Sequence, residues 1–192
     1  VENPAKPEEL MTKHQRTAGE LKGALVRKGL LTAPNEATHK VETVPVEFVQ
    51  TGDGKFRFFA GDRQIVSNGK VTAYGTMVLT DEPAEIFARL GRSWLTAEPF
   101  AGLERTSISG KDTVGKDPVL VVRGARPATQ SNEFLSFDEK SGLLVRALNL
   151  RRTSLGTVAS SITYSEFKKA DGLTVPMKIG ISASRIATEV CV

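Results

Sequence analysis

From about Val41 onward, apolar residues recur at every second position between short turns. Val44, Val46 and Phe48 share one face of a strand, with Pro45 and Glu47 opposite. Phe56 and Phe58 alternate with Arg57 and Phe59. Side chains of a strand point to its two faces in turn, so this pattern demands a sheet with one buried face. Pro45 lacks a donor and marks an edge or a bulge. The turn signals are Thr51-Gly52-Asp53-Gly54, Asn68-Gly69, Asp138 to Gly142 and Asp171-Gly172. Asn68-Gly69, between Ile65-Val66 and Val71 to Tyr74, is a strong hairpin signal because both turn residues take positive φ. Gly110 to Asp117 is expected to be a turn region, and Gly156 a break. Val119 to Val122 is apolar throughout, as in a strand buried on both faces. Strands joined by short turns in this way form an antiparallel meander.

Two stretches depart from the period of two. Near the N-terminus, Pro7, Glu8 and Glu9 suit a first helical turn. Leu10, Met11, His14, Ala18, Leu21 and Leu25 follow at spacings of three and four. The spacing predicts a helix over about 6–25, weakened by Gly19 and Gly23. A second helix is predicted over about 82–95, with Pro83 and Glu85 in its first turn and Ile86, Phe87 and Leu90 on its apolar stripe. The expected fold is α+β. It is a single domain over 1–192, with one curled antiparallel sheet, an incomplete β-barrel of about nine to eleven strands. Two or three helices would cover its concave face.

The chemistry that the residues exclude narrows the function. One cysteine, Cys191, rules out an internal disulfide framework and a multi-cysteine zinc site. Two histidines, His14 and His39, leave no His-rich metal centre, and no Gly-x-Ser-x-Gly elbow or phosphate loop is present. Glu166 and Asp171 flank the basic pair Lys168-Lys169 and read as surface ion-pairing groups rather than a catalytic pair. No metal, no cofactor and no enzymatic activity are expected. No apolar run is long enough to span a membrane as a helix. The start, Val1-Glu2-Asn3-Pro4, reads as a processed end from which a signal peptide has been removed. From Lys140 onward, eight basic residues face three acidic ones. That surplus suits a solvated outer face or a docking surface on Arg146, Arg151, Arg152, Lys168 and Lys169. Aromatics do not alternate with these bases, so nucleic acid is not an expected partner.

Three stretches carry a resemblance. They are Phe137-Asp138-Glu139-Lys140-Ser141-Gly142-Leu143-Leu144-Val145-Arg146, then Leu155-Gly156-Thr157 with Ile162 to Phe167, then Ala170-Asp171-Gly172-Leu173-Thr174-Val175-Pro176-Met177-Lys178-Ile179. Val114 to Val119 and Asn68-Gly69-Lys70 add to it. In this order they resemble the bacterial periplasmic outer-membrane lipoprotein carriers, the LolA/LolB-like superfamily, over roughly residues 5–182. Ser165-Glu166-Phe167 stands where that family often has Asp-Tyr-Arg. The resemblance implies an incomplete barrel with a helical lid over an apolar cavity, a periplasmic location, and neither metal nor cofactor. It implies a lipid, acyl chain or lipoprotein as ligand, or a role as accessory subunit of a cell-envelope assembly. The residues expected to line the cavity are Val46, Phe48, Phe56, Phe58, Ile86, Phe87, Leu90, Val121, Leu135 and Leu144.

Overall fold

The computed structural model describes residues 6–34, 38, 40–53, 55–61, 63–68, 71–79, 99–100, 102–127, 130–183 and 186–191. Its helix α1 spans Pro7–Ala18. Six strands follow: β1 Ala24–Pro34, β2 Val41–Thr51, β3 Phe56–Ala60, β4 Arg63–Ser67, β5 Thr72–Tyr74 and β6 Met77–Leu79. Seven more complete the order: β7 Glu104–Val114, β8 Asp117–Arg126, β9 Ser131–Asp138, β10 Leu144–Thr153, β11 Gly156–Ala170, β12 Leu173–Ala183 and β13 Ile186–Cys191.

All 13 strands form one sheet in the order β6-β5-β4-β3-β2-β1-β13-β12-β11-β10-β9-β8-β7. Every pairing is antiparallel. The chain thus makes two meanders, β1–β6 and β7–β13, joined where β1 pairs with β13 through Leu30–Cys191 and Leu31–Val190. The outermost strands β6 and β7 are not paired to each other, so the sheet is open. Residues from β2, β3 and β8–β13 meet in one core cluster on one face, which requires the sheet to curl around it.

The strand count exceeds the sequence expectation because β1, the three-residue β6 and β13 carry no alternation that marks them as strands. The helix expected over 6–25 ends at Ala18. Gly19 takes φ +83°, and a Cβ there would collide with the Gly172 carbonyl. Only glycine fits both demands, so the helix stops and the chain turns into β1. Leu21 and Leu25 therefore do not extend the helical stripe. The described residues contain this one helix; two or three helices are not supported. The helix expected over 82–95 lies outside the described residues. Gly110 is not in a turn. It sits at a bulge inside β7, and the turn is Gly115-Lys116. β4 and β5 pair as a hairpin: Ser67 pairs with Thr72, and the Val71 N–H donates to Asn68 Oδ1 at 2.9 Å, while Gly69 lies outside the described residues. β2 is an interior strand, but β3 ends opposite Val46, so Pro45 is bordered by β1 alone.

Helix α1 docks at one end of the curled sheet, on two adjacent turns. The Thr174 hydroxyl donates to the Thr17 carbonyl at 2.6 Å. The Thr17 hydroxyl lies 2.8 Å from the Ser141 carbonyl, and Lys13 Nζ donates to the Glu139 carbonyl at 2.6 Å. The β9–β10 turn that receives these bonds is fixed internally by Asp138, whose Oδ1 accepts from the Ser141 backbone N–H at 2.6 Å. The Phe-Asp…Gly-Leu-Leu stretch of the sequence is thus the seat of the helix. Leu10, His14 and Ala18 form the buried stripe of α1.

His14 is 1% exposed and accepts a hydrogen bond at Nδ1 from the Leu144 N–H at 3.3 Å. Burial pushes its pKa down from 6.5 to about 4, offset in part by the Gly142 backbone. Among the described residues Nε2 has no hydrogen-bond partner, and burial keeps the ring neutral at ordinary pH. The unfolded chain takes up this proton below about pH 6.5 and the folded chain only below about pH 4. The stability His14 contributes is therefore complete above pH 6.5 and is lost as pH falls toward 4, with roughly 2.5 kcal/mol gone by pH 4.5. Urea unfolding at pH 7.5 and pH 4.5 checks this. His14→Gln should remove that part of the pH dependence, and an unchanged dependence in the variant would assign it to other groups.

Candidate functional site

The inner face of the sheet is built by alternation. On β2 it carries Val44, Val46, Phe48 and Gln50, and on β3 Phe56 and Phe58. The Phe48 ring stacks on Phe56 at 5.7 Å between centroids and meets Phe58 edge-on at 6.2 Å. Across the other meander, direct cross-strand partners give the row Val122, Leu135, Ala147, Ile162 and Ile181. All five are buried. Each such side chain contributes roughly 1–3 kcal/mol when it leaves water.

Two residues further along the same strands, the inner face turns polar. The next row is Gly124, Glu133, Asn149 and Ser160. Arg126 bonds Glu133 in a two-point contact, Nε to Oε1 at 2.7 Å and Nη2 to Oε2 at 3.3 Å. The side chains are 12% and 4% exposed. Beside them Asn149 Nδ2 donates to Ser131 Oγ at 2.8 Å. This polar rim lies at the end of the strands opposite α1. At the α1 end a second buried cation, Arg27 of β1, places its guanidinium 4.9 Å from the Phe48 ring centroid. Its Nη2 donates to Gln50 Oε1 at 3.5 Å. Burial pulls the Arg27 pKa down to about 9, opposed by Tyr164, and it remains charged at neutral pH. The inner face is thus apolar through its middle and hydrogen-bonding at both ends.

Of the expected lining residues, Val46, Phe48, Phe56, Phe58, Leu135 and Leu144 converge in this core. Val121 does not. It pairs with Ser136 on the outer face, and Val122 takes the inner place. The run Val119 to Val122 is apolar on both faces, so its phase could not be read. Ile86, Phe87 and Leu90 lie outside the described residues. The expected docking residues are not gathered into one patch. Arg146 bonds Asp112 at 2.9 Å across the outer face. Arg151 lies opposite Ser131 near the polar rim, with Arg152 beside it. Lys168 and Lys169 are exposed near the other end of β11, roughly 35 Å from the Thr157 that faces Arg152, at the rise of an extended strand.

The polar rim was missed. Glu133 stands in phase with Leu135 and Phe137, and that phase was its one available signal. Arg27 had none, since Val26 and Leu30 beside it are the more apolar residues yet lie exposed. Among the described residues no group of three or more His, Cys, Asp or Glu gathers as a metal would require. No helix among them is long and apolar enough to cross a membrane.

An open antiparallel sheet curled around an apolar inner face, with a helix docked at one end, defines a half-barrel. Comparison with solved structures places it further. A LolA superfamily protein from Nitrosomonas europaea superposes with a TM-score of 0.64 at 10% identity, over 97% of this chain and 91% of that one. A domain assigned to outer-membrane lipoprotein sorting, from Vibrio parahaemolyticus, gives 0.64 at 8% identity over 95% and 88%. A DUF1329 family protein from Desulfovibrio piger gives 0.62 at 13% identity, also over 95% and 88%. The chain has a LolA-like fold. Its sequence matches no protein-family model and no curated protein.

Proposed function

We propose that this protein is a non-enzymatic binding protein of the bacterial periplasm that holds a lipid, an acyl chain or the acylated end of a lipoprotein against the inner face of the half-barrel. The observation that carries this reading is the order of the inner rows. An apolar row, Val122 to Ile181, lies directly beside a polar one, Gly124 to Ser160. An amphiphile has the same order: a chain that gains about 0.8 kcal/mol per buried methylene and a head that needs hydrogen bonds. The likeness in fold to a lipoprotein-sorting domain supports it.

Delipidated protein titrated with cis-parinaric acid tests the reading. Saturable binding is expected. Phe58→Gln, on the inner face of the short strand β3, should weaken it about tenfold, the loss of one apolar contact of 1–2 kcal/mol. Absence of binding at every concentration would end the proposal.

A second reading, an accessory subunit of a cell-envelope complex, is favoured by the edge hairpin β5–β6. Val71, Tyr74, Met77 and Val78 are all exposed there, Met77 and Val78 by 59% each. Apolar groups on a sheet edge suit addition of a partner strand. Isolation of the protein with stoichiometric partners lost on Met77→Lys would support this reading over the first.

A further inference from the structure

On the outer face of the sheet, at the polar-rim end of β7 and β8, a notch of about 240 Å³ is lined by Arg105, Ser107, Arg123, Gly124, Ala125 and Asn132. We propose that this notch is an oxyanion site that takes a phosphate group.

Its construction is local and specific. Between Glu104 and Ser107 the register of β7 against β8 slips by a β-bulge, so Arg105 and Thr106 together oppose Gly124. Bulges re-aim side chains, and they usually seat glycine where the chain turns left-handed. Here Arg105 takes that conformation, with φ +52°. A non-glycine residue is disfavoured there by about 1 kcal/mol or more. The bulge brings Arg105 to the wall of a notch that Arg123 also lines. Ser107 and Arg123 are direct cross-strand partners, and Asn132 pairs with Ala125 on the next strand.

Among the described residues these side-chain donors are unspent. Among the described residues neither Arg105 nor Arg123 forms an ion pair. The contact of Arg123 is with the Phe134 ring, 6.0 Å from its guanidinium carbon. Glu104, the nearest carboxylate in sequence, forms no ion pair among the described residues either. Some exposed cations elsewhere on this sheet are partnered, as Lys28 is by Glu47, Lys111 by Glu139 and Lys178 by Glu189, and others among the described residues stand singly, whereas Arg105 and Arg123 line one notch together. Two guanidinium groups, a hydroxyl and a side-chain amide offer more donors than one carboxylate can accept. They match the several oxygens of a phosphate, for which arginine forks are the preferred partners.

The test is a titration of the isotopically labelled full chain with sodium phosphate, against sodium chloride at equal ionic strength, read by backbone amide shifts. Saturable shifts of Ser107, Arg123 and Asn132 with phosphate alone are expected. The pair Arg105→Asn and Arg123→Gln should weaken binding at least tenfold. Asn tolerates the left-handed position, and Arg123→Gln by itself, on regular strand, serves if the pair does not fold. Lys168→Gln with Lys169→Gln removes the same charge elsewhere and should change affinity less than twofold.

Short-chain phosphatidylglycerol below its micelle concentration then separates the two sources of the group. Binding tenfold tighter than phosphate, with shifts spreading to Glu133 and Asn149, assigns a lipid headgroup. Equal binding, with shifts confined to the notch, assigns a free phosphate or a phosphate ester. Shifts that fail to saturate, or that chloride reproduces, overturn the proposal, as does equal loss in the lysine control. Inorganic phosphate has no acyl chain, so this outcome is independent of fatty-acid binding at the inner face.

Discussion

Glu133→Ala should destabilise the protein by about 3–5 kcal/mol, because it removes the carboxylate that accepts two contacts from the largely buried Arg126 guanidinium. Arg126 and Glu133 meet through two parallel contacts of 2.7 and 3.3 Å, and both side chains are largely buried. Gly102 packs so closely on Arg126 that a Cβ there would lie 2.7 Å from Nη1, which leaves the guanidinium little room to swing toward solvent. For a chain of this size the loss corresponds to a fall in Tm of roughly 10 °C. Replacing both partners, Arg126→Met with Glu133→Leu, should recover most of it, to within about 1 kcal/mol of the parent. Urea denaturation of Arg126→Met, Glu133→Leu and the double closes the cycle. A Glu133→Ala midpoint equal to the parent's would mean that the pair is solvated and that the rim is not a desolvated polar row. The double variant also serves the functional question. It removes the charged pair of the polar rim from a stable fold, so a ligand whose head needs that pair should bind more weakly while a bare acyl chain is retained.

Phe137→Ala is the second large effect. Phe137 is completely buried, and its ring meets His14 edge-on at 5.7 Å and Phe100 at 5.8 Å. It packs against the buried stripe of α1 through His14, one position before the Asp138 turn on which the helix sits. Truncation removes the transfer energy of the ring and leaves a cavity beneath the helix, a loss of about 3–5 kcal/mol. The damage should be uneven. Amides of α1 should exchange with solvent far faster than those of β11 and β12, whose ladders are untouched. Hydrogen exchange resolved by residue reads this directly. Uniform acceleration over the sheet and the helix would show that α1 and the sheet open as one unit. The same ring bears on the pH dependence of His14, because a loosened helix lets water reach the imidazole. In the Phe137→Ala variant the stability lost between pH 6.5 and 4.5 should shrink.

Much of the second meander was legible. Apart from Gln130 between β8 and β9, its turns carry glycine or Asp where φ is positive, and most of its strands keep apolar residues in one phase. Leu135 and Leu144 were therefore readable as inward-facing, as was the Phe48–Phe58 pair of the first meander. Reading failed where the phase was ambiguous or inverted. Val119 to Val122 is apolar on both sides, and the choice of Val121 over Val122 slipped by one residue. β1 has exposed Val26 and Leu30 with Arg27 facing inward, so its alternation contradicts the usual rule. Leu21 and Leu25 then fitted a helical spacing by accident. The candidate site was half legible for the same reason: its apolar row follows the rule, and its polar row breaks it.

The sequence alone determined that the chain must form an antiparallel sheet with one buried face, opened by a helix and punctuated by short turns. These are properties of neighbours in the chain: alternation, φ preference and capping act over two to five residues. The tertiary structure decided what depends on distant residues meeting. It paired β1 with β13 and so placed the first and last strands side by side within the sheet. It ended α1 at Gly19, because the Gly172 carbonyl occupies the space a side chain would need. It buried Arg126 with Glu133, and left Arg105 and Arg123 facing one notch. A strand specifies which of its residues share a face, but which strands lie beside it is set by closure of the whole sheet, and the charges took their partners only then.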